Sequence, residues 1–344
     1  MGCAMLLYHM LSSYGSGIGA GTAVLSVIVY DFFAFVTELP MGVFLDRLNM
    51  PVNNVSNING LIAASGCAVI AAADICEAFE MIPFHLLIPA AVISGIANAA
   101  FHLGAGLDII ALSERKASLS GVFISTGALG LFLGTNAFKM HYENLLLTGS
   151  LLFIIALFIL WQYFHDTLRI LNNDDTIIRT GPGYLFTAVS LLFLVIIYRS
   201  FLGFASKYSW RSGFTIGLAA VTAVFLGKLC GGVAADIFGW KKITMISLLS
   251  CAFFALFSDA SPVAGCLVLF LFNTTMPVAM MGLANILPKW KGVAFGLNTS
   301  ALFLGFIVCN TLKIPVSGTA FCIMIVLSAA VLWAALRIAP ETEG

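Results

Sequence analysis

The chain has 344 residues, 60% of them hydrophobic and 9% charged, whereas an ordinary soluble domain is about 25% charged. No water-soluble fold of this size could bury so much apolar surface, and sixteen Lys plus Arg against sixteen Asp plus Glu leave neither a basic surplus for nucleic acid nor an acidic tail. The lipid bilayer is therefore the expected solvent for most of the chain.

A membrane-spanning helix needs roughly 20 mostly apolar residues. Apolar runs of that order lie at 3–17, 20–44, 57–74, 84–108, 119–138 and 144–164. After a polar stretch they resume at 184–205, 213–233, 242–258, 263–287, 292–311 and 317–337. The fold predicted is all-α integral membrane, with about 12 transmembrane helices in two six-helix pseudo-symmetric bundles. The bundles occupy 1–165 and 184–344, joined by a cytoplasmic linker at 166–183. The first run is short or incomplete as a span. It lacks the basic start of a signal peptide and is followed at once by another apolar run. Eight cysteines are scattered without CxxC spacing and read as small buried hydrophobes.

Lys and Arg in short loops collect on the cytoplasmic side. Loops after even-numbered runs, with their flanks and the C-terminus, hold eleven: Arg47, Arg115, Lys116, Arg169, Arg179, Lys228, Lys241, Lys242, Lys289, Lys291 and Arg337. Odd-numbered loops hold four, Lys139, Lys207, Arg211 and Lys313. This asymmetry predicts cytoplasmic termini in a plasma (inner) membrane. Asp74, Glu77, Glu80 and Asp259 are assigned to outer loops.

The halves echo each other. Gly121-Val-Phe-Ile-Ser-Thr-Gly-Ala-Leu-Gly-Leu-Phe-Leu-Gly134 in the fifth run matches Gly292-Val-Ala-Phe-Gly-Leu-Asn-Thr-Ser-Ala-Leu-Phe-Leu-Gly305 in the eleventh, at both ends of the same fourteen residues. These are equivalent places in a six-plus-six repeat, a plan common among secondary transporters. Gly121, Gly127, Gly130, Gly134, Gly292, Gly296 and Gly305 are expected to form close-packing surfaces.

The second run ends in Gly42-Val-Phe-Leu-Asp46-Arg47, and the eighth in Gly232-Val-Ala-Ala-Asp236-Ile-Phe-Gly239-Trp-Lys241-Lys242. Here a glycine would let two helices approach closely. The aspartate could pair with a base or cap a neighbouring helix N-terminus, and the basic pair would hold the loop at the cytoplasmic face. Both copies resemble the loop signature of the major facilitator superfamily. The second lacks only a basic residue after Asp236, whereas the first has Leu48-Asn49-Met50 in place of the later glycine and basic pair. Within that superfamily the chain is similar to fosmidomycin-resistance-type efflux proteins, through Phe101-His102, Tyr198-Arg199-Ser-Phe-Leu-Gly203-Phe and Ile286-Leu-Pro288-Lys-Trp-Lys-Gly292-Val-Ala-Phe-Gly296-Leu. The resemblance implies efflux. The chain departs from it at Leu103, where the family suggests proline, and in lacking the Gly-Pro pair of antiporters in the fifth run.

A charge at membrane depth costs roughly 2.5 to 3.5 kcal/mol on insertion scales, so each needs a reason. Asp31 and Glu38 lie seven residues apart in the second run, on nearly one helix face. At about 1.5 Å per residue, Asp31 and Arg199 both sit roughly 22 Å from the inner ends of their helices. They are expected to meet, directly or through substrate. Such a pair is either a gate or proton-coupling element, or a permanent salt bridge satisfying both charges. Glu38 is either a second protonation site or a carboxylate neutralised at the cytoplasmic mouth. His102 is either a hydrogen-bonded packing element or a ligand for substrate, and His9 lies in the abbreviated first run. Asp108 is expected to be structural, paired with Arg47 or Arg115.

An intramembrane enzyme would need a nucleophile or metal set, and the sequence holds no HExxH, no GxSxG and no Cys and His cluster at ligand spacing. Gly227-Lys228 lacks the flanking residues of a nucleotide-binding loop. No catalytic residue, metal or cofactor is expected. The function predicted is secondary active transport of a small polar or charged organic solute by alternating access, coupled to protons, with the chain acting as a monomer. The alternative is a membrane receptor or scaffold that kept the fold and lost transport.

Overall fold

A computed structural model describes residues 20–48, 52–140, 144–165, 182–206, 208–312 and 318–338. The first predicted span with His9, and most of the linker, lie outside the described residues. Among those described, all regular structure is helical. In chain order the helices are α1 (Ala20–Val36), α2 (Glu38–Arg47), α3 (Val52–Ala78), α4 (Leu87–Leu112), α5 (Ser118–Lys139), α6 (Leu145–His165) and α7 (Pro182–Ala205). Then come α8 (Phe214–Phe238), α9 (Trp240–Ala255), α10 (Pro262–Asn273), α11 (Met276–Ile286), α12 (Lys291–Leu312) and α13 (Gly318–Ile338).

Among the described residues, ten stretches are long and apolar enough to cross a membrane. They match ten of the twelve predicted runs. The ninth run forms α9, whose 16 residues extend about 24 Å. Two spans are each built from two helices, Leu25–Arg47 from α1 and α2, and Pro262–Ile286 from α10 and α11. Proline explains both interruptions, because its ring has no N–H and clashes with the carbonyl four residues earlier. Pro40 lies four residues after Val36, where α1 ends, and Pro277 four after Asn273, where α10 ends.

The described residues divide into two compact units, Met1–Asp108 with Gly130–Asn172, and Ile109–Leu129 with Asn173–Gly344. This differs from a division at the linker alone over residues 109–129, which include the first half of α5.

Lipid supplies no hydrophobic drive between helices, so spans associate where small residues let backbones touch. In the first unit a Cβ on Gly95 of α4 would lie 2.8 Å from the Tyr30 carbonyl of α1. Gly104 of α4 abuts Asn59 and Ala63 of α3, while Gly66 of α3 abuts Ala97 and Phe101 of α4. Gly149 brings α6 onto α3 at Ala71 and Ile75. In the second unit, Gly305 of α12 packs on Ile197 and Ser200 of α7, and Ser200 Oγ donates to the Leu302 carbonyl at 2.6 Å. Gly227 and Gly231 press α8 onto the backbone of α10 at Phe270 and onto Thr274, just past its end. After α7, Trp210 stacks on Tyr208 (5.0 Å between rings), donates from Nε1 to the Ser258 carbonyl at 2.7 Å, and fills the space over Gly265.

Three expectations need correction. Asp74 and Glu77 are not loop residues; both lie in the last turns of α3 and are buried. A short run of polar residues had ended the predicted span too early. Lys228 stands inside α8, ten residues before its end, because α8 continues through the signature to Phe238. Gly127 is exposed with open space where a Cβ would go, so it is not a packing glycine.

Candidate functional site

The loop signature of the second unit is assembled by backbone geometry. Gly232 and Asp236 are one turn apart on α8 and meet the N-terminus of α5. Asp236 Oδ1 accepts the Ala117 N–H at 2.8 Å, and Oδ2 accepts the Ser118 N–H at 2.7 Å. These are charge-assisted bonds to amides that a helix start leaves unsatisfied, at the positive end of its dipole. A Cβ on Gly232 would run into the Ala117 carbonyl and lie 3.1 Å from Ser118 Cα, so only glycine admits this approach. Trp240 Nε1 donates to Asp236 Oδ1 at 3.1 Å. Gly239, at φ +93°, closes α8 and lets α9 begin at Trp240. Lys241 and Lys242 follow on the first turn of α9, Lys242 exposed. Of the two roles foreseen for the aspartate, capping a helix is the one seen for Asp236. In the first copy, Gly42 is buried in α2, Asp46 is half-buried and Arg47 exposed at its last turn.

Arg199 is the membrane-embedded cation of α7, only 7% exposed. Its Nη2 donates to the Phe272 carbonyl, and its Cζ lies 4.5 Å from the centre of the Phe272 ring. The same carbonyl accepts from Thr275 Oγ1 at 3.2 Å. Phe272 is the penultimate residue of α10, just before the break that Pro277 enforces. The guanidinium is thus anchored where a helix is interrupted, by a carbonyl dipole and a π face. Its Nη1 is buried without a hydrogen-bond partner among the described residues. Cys251 of α9 donates its thiol to the Val268 carbonyl at 3.5 Å.

A second cation, missed in reading the sequence, lies in the same unit. Lys228 of α8 donates from Nζ to the Ile124 carbonyl of α5 at 3.3 Å. The signal available was its distance from the end of the signature, which keeps it well inside a helix once Gly232 and Asp236 are read as helical.

Asp31, Glu38 and His102 belong to the first unit. Asp31 is half-buried on α1; Glu38, 1% exposed, opens α2 just after the turn at Thr37. His102 is half-buried on α4, its ring edge-on to Phe101 at 5.4 Å. Asp108 accepts from Asn59 Nδ2 at 3.0 Å, a neutral partner where a basic one was expected. Asp74 and Glu77 add two buried carboxyl groups at the far end of α3, and neither Asp74 oxygen has a hydrogen-bond partner among the described residues.

No protein-family model matches the chain, and no curated protein matches it by sequence. Solved structures do match it along almost its whole length. The E. coli fucose:proton symporter FucP is similar at a TM-score of 0.62 and 14% identity, covering 99% of this chain and 97% of its own. The human organic anion transporter MFSD10 gives 0.62 and 16%, covering 94% and 87%. The major facilitator superfamily proton:xylose symporter XylE, bound to 6-bromo-6-deoxy-D-glucose, gives 0.62 and 14%, covering 99% and 94%. With its membrane-length helices, signature geometry and end-to-end similarity to these structures, the chain is a multi-pass membrane protein with the fold of major facilitator superfamily transporters.

Proposed function

We propose that the protein is a secondary active transporter that moves a small polar or charged organic solute by alternating access, coupled to protons. The observation that carries this reading is Arg199, a cation buried at membrane depth beside a proline-broken helix, with a donor unsatisfied among the described residues. Interrupted helices whose unwound backbone lies beside polar groups are a recurrent device for binding solutes at mid-membrane. The chemistry attached to similar folds agrees: two of the matching structures are proton symporters and one transports organic anions. Asp31 and Glu38 are the carboxyl groups assigned to proton coupling, Arg199 to the solute, and His102 to either. The likeness to fosmidomycin-resistance-type proteins makes export the direction to test first.

Counterflow of a labelled solute in proteoliposomes tests the reading, since a carrier exchanges solute across the membrane and a receptor only binds it. Asp31→Asn should remove the pH dependence of exchange while leaving exchange itself measurable. Full pH dependence in that variant would end the coupling role of Asp31. The receptor reading is kept because the first signature copy has Leu48-Asn49-Met50 in place of its later glycine and basic pair. Binding without counterflow would establish it.

A further inference from the structure

We infer that the second unit carries a docking site for an anionic phospholipid of the phosphatidylglycerol class on the lipid-facing surface of α9 and α13, with Lys242 and Arg337 holding the headgroup. The inference is independent of the transport reading, since it concerns the surface that meets the bilayer. The occupant follows from the pattern, two cations at one end of an apolar strip.

The two helices run antiparallel, side by side. The start of α13 meets the end of α9, where a Cβ on Gly318 would lie 3.1 Å from the Ala255 carbonyl, and the helices pack along each other from there. Lys242 stands thirteen residues before Ala255, and Trp333 fifteen after Gly318. At about 1.5 Å per residue, both lie roughly 20 Å from that contact. Arg337, one turn further along α13, folds back so that its Cζ lies 3.6 Å from the centre of the Trp333 ring. The guanidinium is thereby brought towards the level of Lys242. This is the end of the unit that the loop charges assign to the cytoplasm, the side on which anionic lipids attract basic residues.

Each cation closes an exposed apolar stripe. On α9, Lys242, Ile246, Leu249 and Phe253 are exposed at steps of three and four residues, and so fall on one face. On α13 the exposed face runs from Ile323 through Leu327 and Trp333 to Arg337. The opposite faces are buried, at Leu248 and Leu332 for example. Such a strip suits acyl chains, and the charges at its end suit a phosphodiester. Trp333 stands between them, at the headgroup level that interfacial tryptophans prefer. The described acids of this unit do not answer either cation. Asp236 is committed to the start of α5 and to Trp240, and Asp259 lies at the opposite end, 3.5 Å from where a Gly318 Cβ would stand. Glu114, exposed in the turn before α5, makes no ion pair with Lys242 or Arg337. A zwitterionic lipid suits the pair less, because its own ammonium repels them.

The test uses the full chain purified in dodecyl maltoside, with dioleoyl phosphatidylglycerol, dioleoyl phosphatidylcholine and glycerol 1-phosphate as probes. Native mass spectrometry reads the lipid retained. The unfolding midpoint reads stabilisation, since a ligand that binds only the folded state raises it by mass action. Phosphatidylglycerol should be retained in preference to phosphatidylcholine and raise the midpoint in a saturable way, while glycerol 1-phosphate should not. Lys242→Gln and Arg337→Gln should each weaken phosphatidylglycerol binding roughly fivefold, the worth of one basic residue at an anionic surface. Lys289→Gln removes an exposed cation of the same end, in the turn between α11 and α12, and should leave binding unchanged. Lys242 and Arg337 are exposed, so folding should survive either change, and Lys242→Gln alone decides the matter if Arg337→Gln proves unstable. Equal retention of the two lipids, equal stabilisation by glycerol 1-phosphate, or binding that survives both substitutions would overturn the site. A loss in Lys289→Gln as large as theirs would also overturn it, by showing general attraction to a basic face.

Discussion

Asp236 shows how much a single side chain can settle. Two of its bonds go to part-buried amides at the start of α5, where an unmet donor is costly. Asp236→Ala should destabilise the protein by about 2 to 3 kcal/mol, as expected for losing charge-assisted bonds to a helix start. Asp236→Asn, which keeps an acceptor but no charge, should lose about half of that. Thermal unfolding in detergent would read both, and a wild-type midpoint in Asp236→Ala would contradict the cap. This residue was legible in the sequence because its motif is local, a glycine one turn away, a carboxylate, then a helix end, although the amides it caps lie more than a hundred residues earlier. Lys228, Asp74 and Glu77 were not. A hydropathy boundary is drawn where polar residues begin, so it moves buried charges out of the membrane. Only packing against Ile124 or within α3 returns them.

At the scale of elements, apolar runs located the described spans well, because roughly 20 apolar residues leave the backbone no option in lipid but to satisfy itself as a helix. The interruptions were invisible to the same measure, since hydropathy contains no dihedral angles. Pro40 and Pro277 carried the information, each four residues past a helix end. Pro277→Ala restores an N–H opposite the Asn273 carbonyl and favours one continuous helix from α10 into α11. The expected result is an unfolding midpoint equal to or above wild type together with weaker solute exchange, because the carbonyl that anchors Arg199 would be drawn back into a regular ladder. Wild-type exchange rates in this variant would show that the break has no part in transport.

For the molecule as a whole, orientation is a matter of counting charges on loops, and placing Lys228 inside α8 lowers the inner count from eleven to ten against four without changing its sign. In a cysteine-free background, single cysteines at Lys116, Lys242 or Lys289 should react with an impermeant maleimide only from the cytoplasmic face, and those at Glu80 or Asp259 only from the opposite face. All five positions are exposed. Labelling of both groups from one side would invert or abolish the assigned topology. The gathering of residues 109–129 with the later part of the chain bears on how the gene could be divided. A fragment beginning at Pro182 would be born without the amides that Asp236 caps and the carbonyl that receives Lys228. Ribosomes translating that fragment alone should deliver it to proteolysis, and co-expression of a piece ending near Leu129 should rescue its accumulation.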